Sequence, residues 1–353
     1  MSRKPAMLTP LTDFLCVGGL SILVSLVVLL AGVRLPLQYH LLMHVTNFLI
    51  NAPHFLVSYR LLYGSPQRRA GYRAVSLQLP VALAAYLLFA LAVYGQYPAV
   101  LGSMIGTGTL LLAWHYTGQA YGMMAAFGFL EGLRFNDQER RLVRANLYVL
   151  LAWHVIWALV AQRNIFAPVT GGSTLLTPTA AERLYQTATV VALASSTCGA
   201  AGLLLMARRL RRVPTPRMLA PWVAIHLWYV LLYREPAAVF WAQNAHALQY
   251  LIFPLRVEMN RVERAGSVVG PGGRRKHMGV FYFGTVVLGL LVMQLGPEAL
   301  QLGFDRLGFA LPLQLGVVAF VNIHHYFIDN YIWKLRNPMV RQDLFAHLPA
   351  PAR

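Results

Sequence analysis

The chain carries one apolar stretch in which polar side chains recur at helical spacing, PLQYHLLMHVTNFLINAPHFLVSY (residues 36–59). It is long enough to cross a bilayer, which takes about 20 residues of helix. Its polar members lie 4, 3, 4 and 3 residues apart, so on an α-helix they share one face. They are His40, His44, Asn47, Asn51 and His54.

Lipid offers no hydrogen-bond partner to such a face, so the face should turn toward the protein interior or a hydrated cavity. Two interpretations are open. The stripe is either a polar seam that joins helices or part of a metal, cofactor or proton site. A seam has little need for three imidazoles, so the sequence favours a site.

The composition is that of an integral membrane protein. Of the 353 residues, 57% are hydrophobic and 12% are charged, with a mean hydropathy of +0.52. Soluble domains carry about 25% charged residues. We therefore expect an all-α, polytopic helical bundle that forms a single transmembrane domain over residues 1–353.

The apolar segments predict about ten transmembrane helices, with both termini in the cytoplasm. The predicted helices cover approximately residues 11–33, 36–59, 75–95, 98–130, 144–162, 184–207, 218–233, 237–257, 278–296 and 309–334.

The distribution of positive charge sets the expected orientation. The net charge is +18, but the 30 Lys and Arg residues cluster at the termini and in alternate loops. The exceptions are Arg34, Arg163, Arg183, Arg234 and Arg306. This asymmetry follows the positive-inside rule and suits anionic lipid. It predicts a multi-pass protein of a bacterial-type inner (plasma) membrane, with membrane lipids rather than nucleic acid as partners.

Histidines are concentrated inside the predicted helices. Imidazoles from several helices, with an acid nearby, are the donors expected of a buried metal site. The candidate ligands are His54, His115, His246, His324 and His325. An outer layer of histidines forms a second candidate group: His40, His44, His154 and His226.

Polar residues at helical spacing from these histidines are expected to hold their second ring nitrogens. They are Asn51, Gln119, Gln249 and Asn322. Asp329 is the candidate catalytic carboxylate, as a metal ligand or as an acceptor that orients a histidine. The alternative for Asp329 is an ion pair with Lys334 or Arg336 near the membrane edge.

Imidazole with carboxylate suits iron, copper or zinc. One or two iron ions are the favoured cofactor because non-haem iron uses open coordination positions to activate O₂. Haem is less favoured. The 14-residue gap from His40 to His54 fits two stacked b-type haems, but no second helix repeats that gap.

In broad layout the chain resembles the polytopic, histidine-rich non-haem iron enzymes of membranes. These include fatty-acid desaturases and hydroxylases and the bacterial carotenoid dioxygenases of the Brp/Blh type. The resemblance is carried by two pairs of histidines: His40 and His44, which are separated by three residues, and the adjacent His324 and His325. The resemblance implies an iron-dependent oxidoreductase, and no individual ligand is carried over from either family.

The sequence therefore predicts a membrane metal-dependent oxidoreductase of the oxygenase, hydroxylase or desaturase type. Its substrate would be a lipophilic small molecule, and an electron donor is a further expected partner. Two alternatives stay open: a proton-coupled transporter that uses buried His and Asp as a relay, and a b-haem electron-transfer protein.

Overall fold

The structure is a computed structural model that describes residues 5–31, 45–161, 177–264, 271–308 and 312–348. Those residues form helices, turns and short connections, and no strand occurs among them. The ten long helices are α1 (Pro10–Ala31), α2 (Asn47–Asn51 continued by Ala52–Tyr63), α3 (Ala74–Ala92), α4 (Pro98–Leu130), α5 (Asp137–Ala161), α6 (Pro178–Leu210), α7 (Pro216–Arg234), α8 (Val239–Arg264), α9 (Pro271–Leu290 continued by Leu291–Leu295 and Gly296–Arg306) and α10 (Leu313–Ile332).

The all-helical fold class is confirmed, and each predicted helix overlaps a long helix of the structure; residues 36–44 of the predicted helix 36–59 lie outside the described residues. Two helices begin about seven residues earlier than predicted: α5 begins at Asp137 rather than near residue 144, and α9 begins at Pro271 rather than near residue 278. The first turn of α5 is closed by a reciprocal capping box. Glu139 N donates to Asn136 Oδ1 at 2.9 Å, and Asn136 N donates to Glu139 Oε2 at 2.8 Å. The charged residues of this turn disfavour a position in lipid, which is why the predicted span began later, but they are compatible with a helix.

Within the described ranges, five helices are long and apolar enough to cross a membrane: Pro10–Ala31, Ala74–Ala92, Asp137–Val160, Pro178–Leu210 and Gly272–Arg306. They expose large apolar side chains, such as Leu30 (85% exposed), Val190 (66%) and Phe283 (69%). An apolar surface of this kind is favourable in contact with lipid and unfavourable in contact with water.

The remaining long helices among the described residues are more polar and carry the buried histidines other than His154, which lies on α5. Helix α10 packs against α2, α3 and α4, and α8 packs against α2 and α4. These contacts place α2, α4, α8 and α10 around one interior region. The polar faces of these four helices turn toward that interior region, and the apolar helices are left to face lipid.

The start of α1 is fixed by a buried carboxylate. Asp13 is fully buried, and its Oδ2 and Oδ1 accept hydrogen bonds from the backbone N–H groups of Met7 and Leu8, both at 2.9 Å. Arg217 Nη1 on α7 lies 3.2 Å from Asp13 Oδ2. Asp13 thus ties the N-terminal segment to α7.

We expect Asp13→Asn to lower the free energy of unfolding by about 1–3 kcal/mol, because the buried N–H groups of Met7 and Leu8 lose a charged acceptor, while Arg217 keeps its ion pair with Glu131 at 2.8 Å. The matched control is Asp137→Asn. Asp137 is exposed and contacts Arg140 within its own helix, so its loss should cost less than about 1 kcal/mol. Thermal unfolding of both variants in detergent measures the difference. Equal midpoints for the two variants would contradict this role of Asp13.

Candidate metal centre

Three helices bring four ligand-type side chains to one point. His54 lies on α2, His115 on α4, and His325 and Asp329 one turn apart on α10. One donor atom from each side chain lies within 4.8 Å of all the others, and all four residues are buried. Four of the predicted site residues thus come together from positions as far apart as 54 and 329.

The donor atoms lie close to the spacing of a coordination sphere, with His115 Nε2 slightly outside it. Asp329 Oδ2 lies 3.2 Å from His325 Nε2, 3.6 Å from His54 Nε2 and 3.8 Å from His115 Nε2. The Nε2 atoms of His54 and His325 are 3.1 Å apart. Ligands that bind one ion at about 2.0–2.2 Å lie roughly 3–3.6 Å from one another in tetrahedral or octahedral geometry.

A fifth imidazole adjoins this group. His246 Nε2 on α8 lies 2.9 Å from His115 Nε2, and its ring centroid is 5.2 Å from that of His54. Counting residues along a straight α8 predicts a shallower position for His246, in the layer of His154 and His226. The structure instead places it against His115, so four of the five predicted ligands gather here.

The second oxygen of Asp329 is held by two hydroxyl groups. Its Oδ1 accepts hydrogen bonds from Ser58 Oγ at 2.7 Å and from Tyr250 Oη at 2.9 Å. These two residues were absent from the predicted site. Ser58 had a usable signal, because it lies four residues after His54 and so continues the polar stripe of α2. Tyr250 likewise lies four residues after His246, but its bond to Asp329 depends on where α8 lies relative to α10, which spacing does not determine.

Several polar atoms at this centre have no hydrogen-bond partner among the described residues. They are Asp329 Oδ2 and the Nδ1 atoms of His54, His246 and His325. A buried polar atom without a partner costs free energy. A cation bound by Oδ2 and the Nε2 atoms would satisfy the carboxylate and compensate its charge, so the donor set fits a metal ion.

His324 is the predicted ligand that lies apart from this group. Its Nε2 lies 2.8 Å from the backbone oxygen of Val75, and its Nδ1 lies 3.0 Å from Tyr59 Oη. Both ring nitrogens are thus engaged with α3 and α2. The reason is helical geometry: adjacent residues on a helix point about 100° apart, so His324 and His325 cannot face the same centre.

The supporting residues predicted from spacing bind one another or the backbone rather than the ligating imidazoles. Asn51 donates to Asn47 Oδ1 at 2.9 Å, and Asn322 donates to the backbone oxygen of Val318 at 2.8 Å. Gln119 donates to the backbone oxygen of His246 at 2.9 Å and to Gln249 Oε1 at 3.3 Å.

Gln249 extends this connection to α1. Its Nε2 donates at 2.7 Å to the backbone oxygen of Val17, next to Gly18 at φ 152°. The non-helical backbone at Gly18 interrupts the regular hydrogen bonding of α1 at this point. Gln119 and Gln249 therefore position α4 and α8 relative to each other and to α1.

The outer histidines do not join the centre in the described part of the chain. His154 Nδ1 lies 3.1 Å from Tyr229 Oη, and His226 Nδ1 lies 2.7 Å from the backbone oxygen of Trp222. The predicted positions of His40 and His44 lie outside the described residues.

A cavity of about 320 Å³ adjoins the centre between α4, α8 and α10. His115 and Asp329 form part of its wall, together with aromatic side chains such as Trp114, Tyr326 and Trp333. Its volume lies at the lower end of the range for small-molecule sites, about 300–1,000 Å³. A small apolar molecule in this cavity would lie against the donor set.

Comparison of the chain with protein-family models, with curated proteins and with solved structures finds no match. The functional argument therefore depends on the geometry of the site.

Proposed function

We propose that this protein is an integral membrane metal-dependent oxidoreductase of the oxygenase, hydroxylase or desaturase type. It acts on a lipophilic substrate at the centre formed by His54, His115, His325 and Asp329, with His246 adjoining. The observation that carries the proposal is the convergence of three imidazole nitrogens and a carboxylate oxygen, within 4.8 Å of one another, beside an aromatic-lined cavity.

The proposed setting is a bacterial-type inner (plasma) membrane, crossed by ten helices with both termini in the cytoplasm. The apolar surfaces of α1, α3, α5, α6 and α9 support a membrane location. The charge asymmetry of the loops supports the orientation. The five more polar helices, α2, α4, α7, α8 and α10, would then be spans that other helices shield from lipid.

Iron is the proposed metal, as one or two ions, because nitrogen and carboxylate ligands suit it; copper and zinc are the alternatives. Bound iron would supply the redox change and an open position for O₂. The chain itself fixes the Asp329 carboxylate through Ser58 and Tyr250. It also positions the substrate in the cavity and keeps water from the centre with the aromatic wall.

The stoichiometry of the reaction defines a further partner. Hydroxylation inserts one oxygen atom of O₂ into a C–H bond and reduces the other to water, which takes two electrons and two protons from outside the substrate. Desaturation takes two electrons from the substrate and two from a donor to reduce O₂ to two waters. Both need an electron donor, which is therefore a proposed partner, whereas a dioxygenase reaction needs none.

We expect membranes that contain the iron-loaded protein to consume O₂ in the presence of extracted membrane lipids and an electron donor. A product should gain an oxygen atom or lose two hydrogens by mass spectrometry. Membranes with His325→Ala serve as the matched control and should show neither change. Unaltered lipids and no O₂ uptake by iron-loaded wild-type protein would contradict the proposed reaction.

A proton-coupled transporter is the second candidate. The feature that favours it is the buried, connected set of Asp329, Ser58, Tyr250 and imidazoles, which could carry protons. Substrate-driven proton flux in liposomes of metal-free protein would support it. The b-haem alternative is less well supported, because side chains from four helices meet at one point instead of facing each other across a macrocycle.

A further inference from the structure

The cavity beside the metal centre has the shape and wall of an acyl-chain site. On α4 its lining runs from Trp114 to Ala126, an axial length of about 18 Å at the helical rise. Gly118 and Gly122 form part of this wall, and a Cβ atom built on either glycine meets nothing within 4 Å. The two glycines therefore leave space for a ligand rather than for a close contact between helices.

One end of the cavity wall carries a positive charge, the ammonium group of Lys334. Lys334, just after α10, belongs to its wall, as do Asn330 and Leu344. The Lys334 ammonium lies 4.3 Å from the ring centroid of Tyr331 and has no carboxylate partner among the described residues. The predicted ion pair between Lys334 and Asp329 is not formed. Asp329 Oδ2 faces the imidazoles of His54, His115 and His325, and its Oδ1 accepts hydrogen bonds from Ser58 and Tyr250.

Two other cations near this end are already paired with a carboxylate. Arg68 and Arg264 both contact Asp343 on the short helix Pro338–Phe345, which supplies Leu344 to the cavity wall. Burial, and to a smaller extent the neighbouring Arg336 guanidinium, lowers the pKa of the Lys334 ammonium. An anion beside Lys334 would offset both effects, because it favours the charged form.

We infer that the cavity binds a single-chain amphiphile with an oxyanion head group, a carboxylate or a phosphate. The head lies at Lys334, and the chain runs along Gly118 and Gly122 toward His115 and Asp329. The volume of about 320 Å³ accommodates one chain better than the two chains of a bilayer lipid. This inference rests on the proposed function in one respect: the bound amphiphile would be the substrate of the metal centre.

The test is equilibrium binding of radiolabelled dodecanoate, dodecyl phosphate and dodecanol to the protein in nanodiscs of zwitterionic lipid, with empty nanodiscs subtracted. We expect wild-type protein to bind at least one of the two anions about tenfold more tightly than the alcohol, the size of one charge-assisted hydrogen bond. The tighter anion identifies the head group. Equal affinity for all three probes would overturn the inference.

Lys334→Gln should abolish the preference for the anion, and the matched control Arg336→Gln should retain it, because Arg336 is exposed and does not line the cavity. Gly122→Leu should weaken binding of all three probes by filling the cavity. Its control is Gly284→Leu, at an exposed position on α9 where a Cβ also meets nothing within 4 Å. Retention of the preference in Lys334→Gln, or unchanged binding in Gly122→Leu, would refute the site.

The same measurements on His325→Ala separate the two proposals. Lys334-dependent binding should persist there, because His325 does not line the cavity. If wild-type protein binds the anion but no metal, the metal-centre proposal fails and the amphiphile site stands. If it binds metal but shows no preference for the anion, the amphiphile site fails and the metal centre stands.

Discussion

Replacing His325 by alanine should remove the metal from the protein, whereas replacing the adjacent His324 should leave the metal content unchanged. His325 Nε2 lies 3.2 Å from Asp329 Oδ2 and 3.1 Å from His54 Nε2, at the middle of the donor set. Loss of a residue that merely supports a ligand costs about 10–100-fold in metal affinity. Loss of a central ligand should cost more, enough to leave the purified variant largely metal-free.

His324→Ala is the matched control because it removes the same side chain from the neighbouring position. His324 contacts the backbone oxygen of Val75 and Tyr59 Oη, so its loss should reduce stability without changing the metal site. Metal content per chain, measured by mass spectrometry after purification in detergent, compares the two variants. Equal metal content in both, whether full or absent, would contradict the assignment of His325 as a ligand and His324 as a structural residue.

Replacing Asp329 by asparagine should lower metal affinity by at least about a hundredfold while leaving the metal-free protein as stable as the wild type, or more stable. Asp329 Oδ2 is buried, faces three imidazole nitrogens and has no hydrogen-bond partner among the described residues. In a metal-free protein a carboxylate at this position is an uncompensated buried charge, which is unfavourable. An amide of the same shape removes the charge and can donate a hydrogen bond to a neutral imidazole.

A loss of metal affinity without a loss of stability in the metal-free protein distinguishes a ligand from a residue that only stabilises the fold. Thermal unfolding should be measured with and without added metal: metal should raise the midpoint of the wild type and should not raise that of Asp329→Asn. Asp305→Asn, at an exposed position near the end of α9, is the control and should respond to metal as the wild type does. A metal-free Asp329→Asn protein that unfolds well below the metal-free wild type would show that Asp329 acts through the fold.

The periodicity of single helices accounts for the part of the site that the sequence predicts. Asn51 and His54 follow one another at helical spacing on α2, and both are buried in the structure. The spacing of four residues likewise joins His325 to Asp329 on α10. Such local relations need no knowledge of the fold, because 3.6 residues per turn determine them.

Relations between helices were not predictable in the same way. Counting residues from the membrane surface treats each helix as straight and upright, and it placed His246 in the wrong layer. The hydroxyl of Tyr250 on α8 donates to Asp329 on α10, and the two residues are 79 positions apart in the chain. Which of two adjacent histidines faces the centre also depends on how α10 is rotated against α2 and α3, which packing determines rather than spacing.

The most direct test of the central claim is X-ray absorption at the metal edge, combined with metal analysis by mass spectrometry on the same purified wild-type sample. The account predicts about one or two transition-metal ions per chain, with imidazole nitrogen and carboxylate oxygen ligands at about 2.0–2.2 Å. Protein that carries no transition metal after purification in metal-supplemented buffer would contradict the claim. So would a metal bound by sulfur, or a haem spectrum.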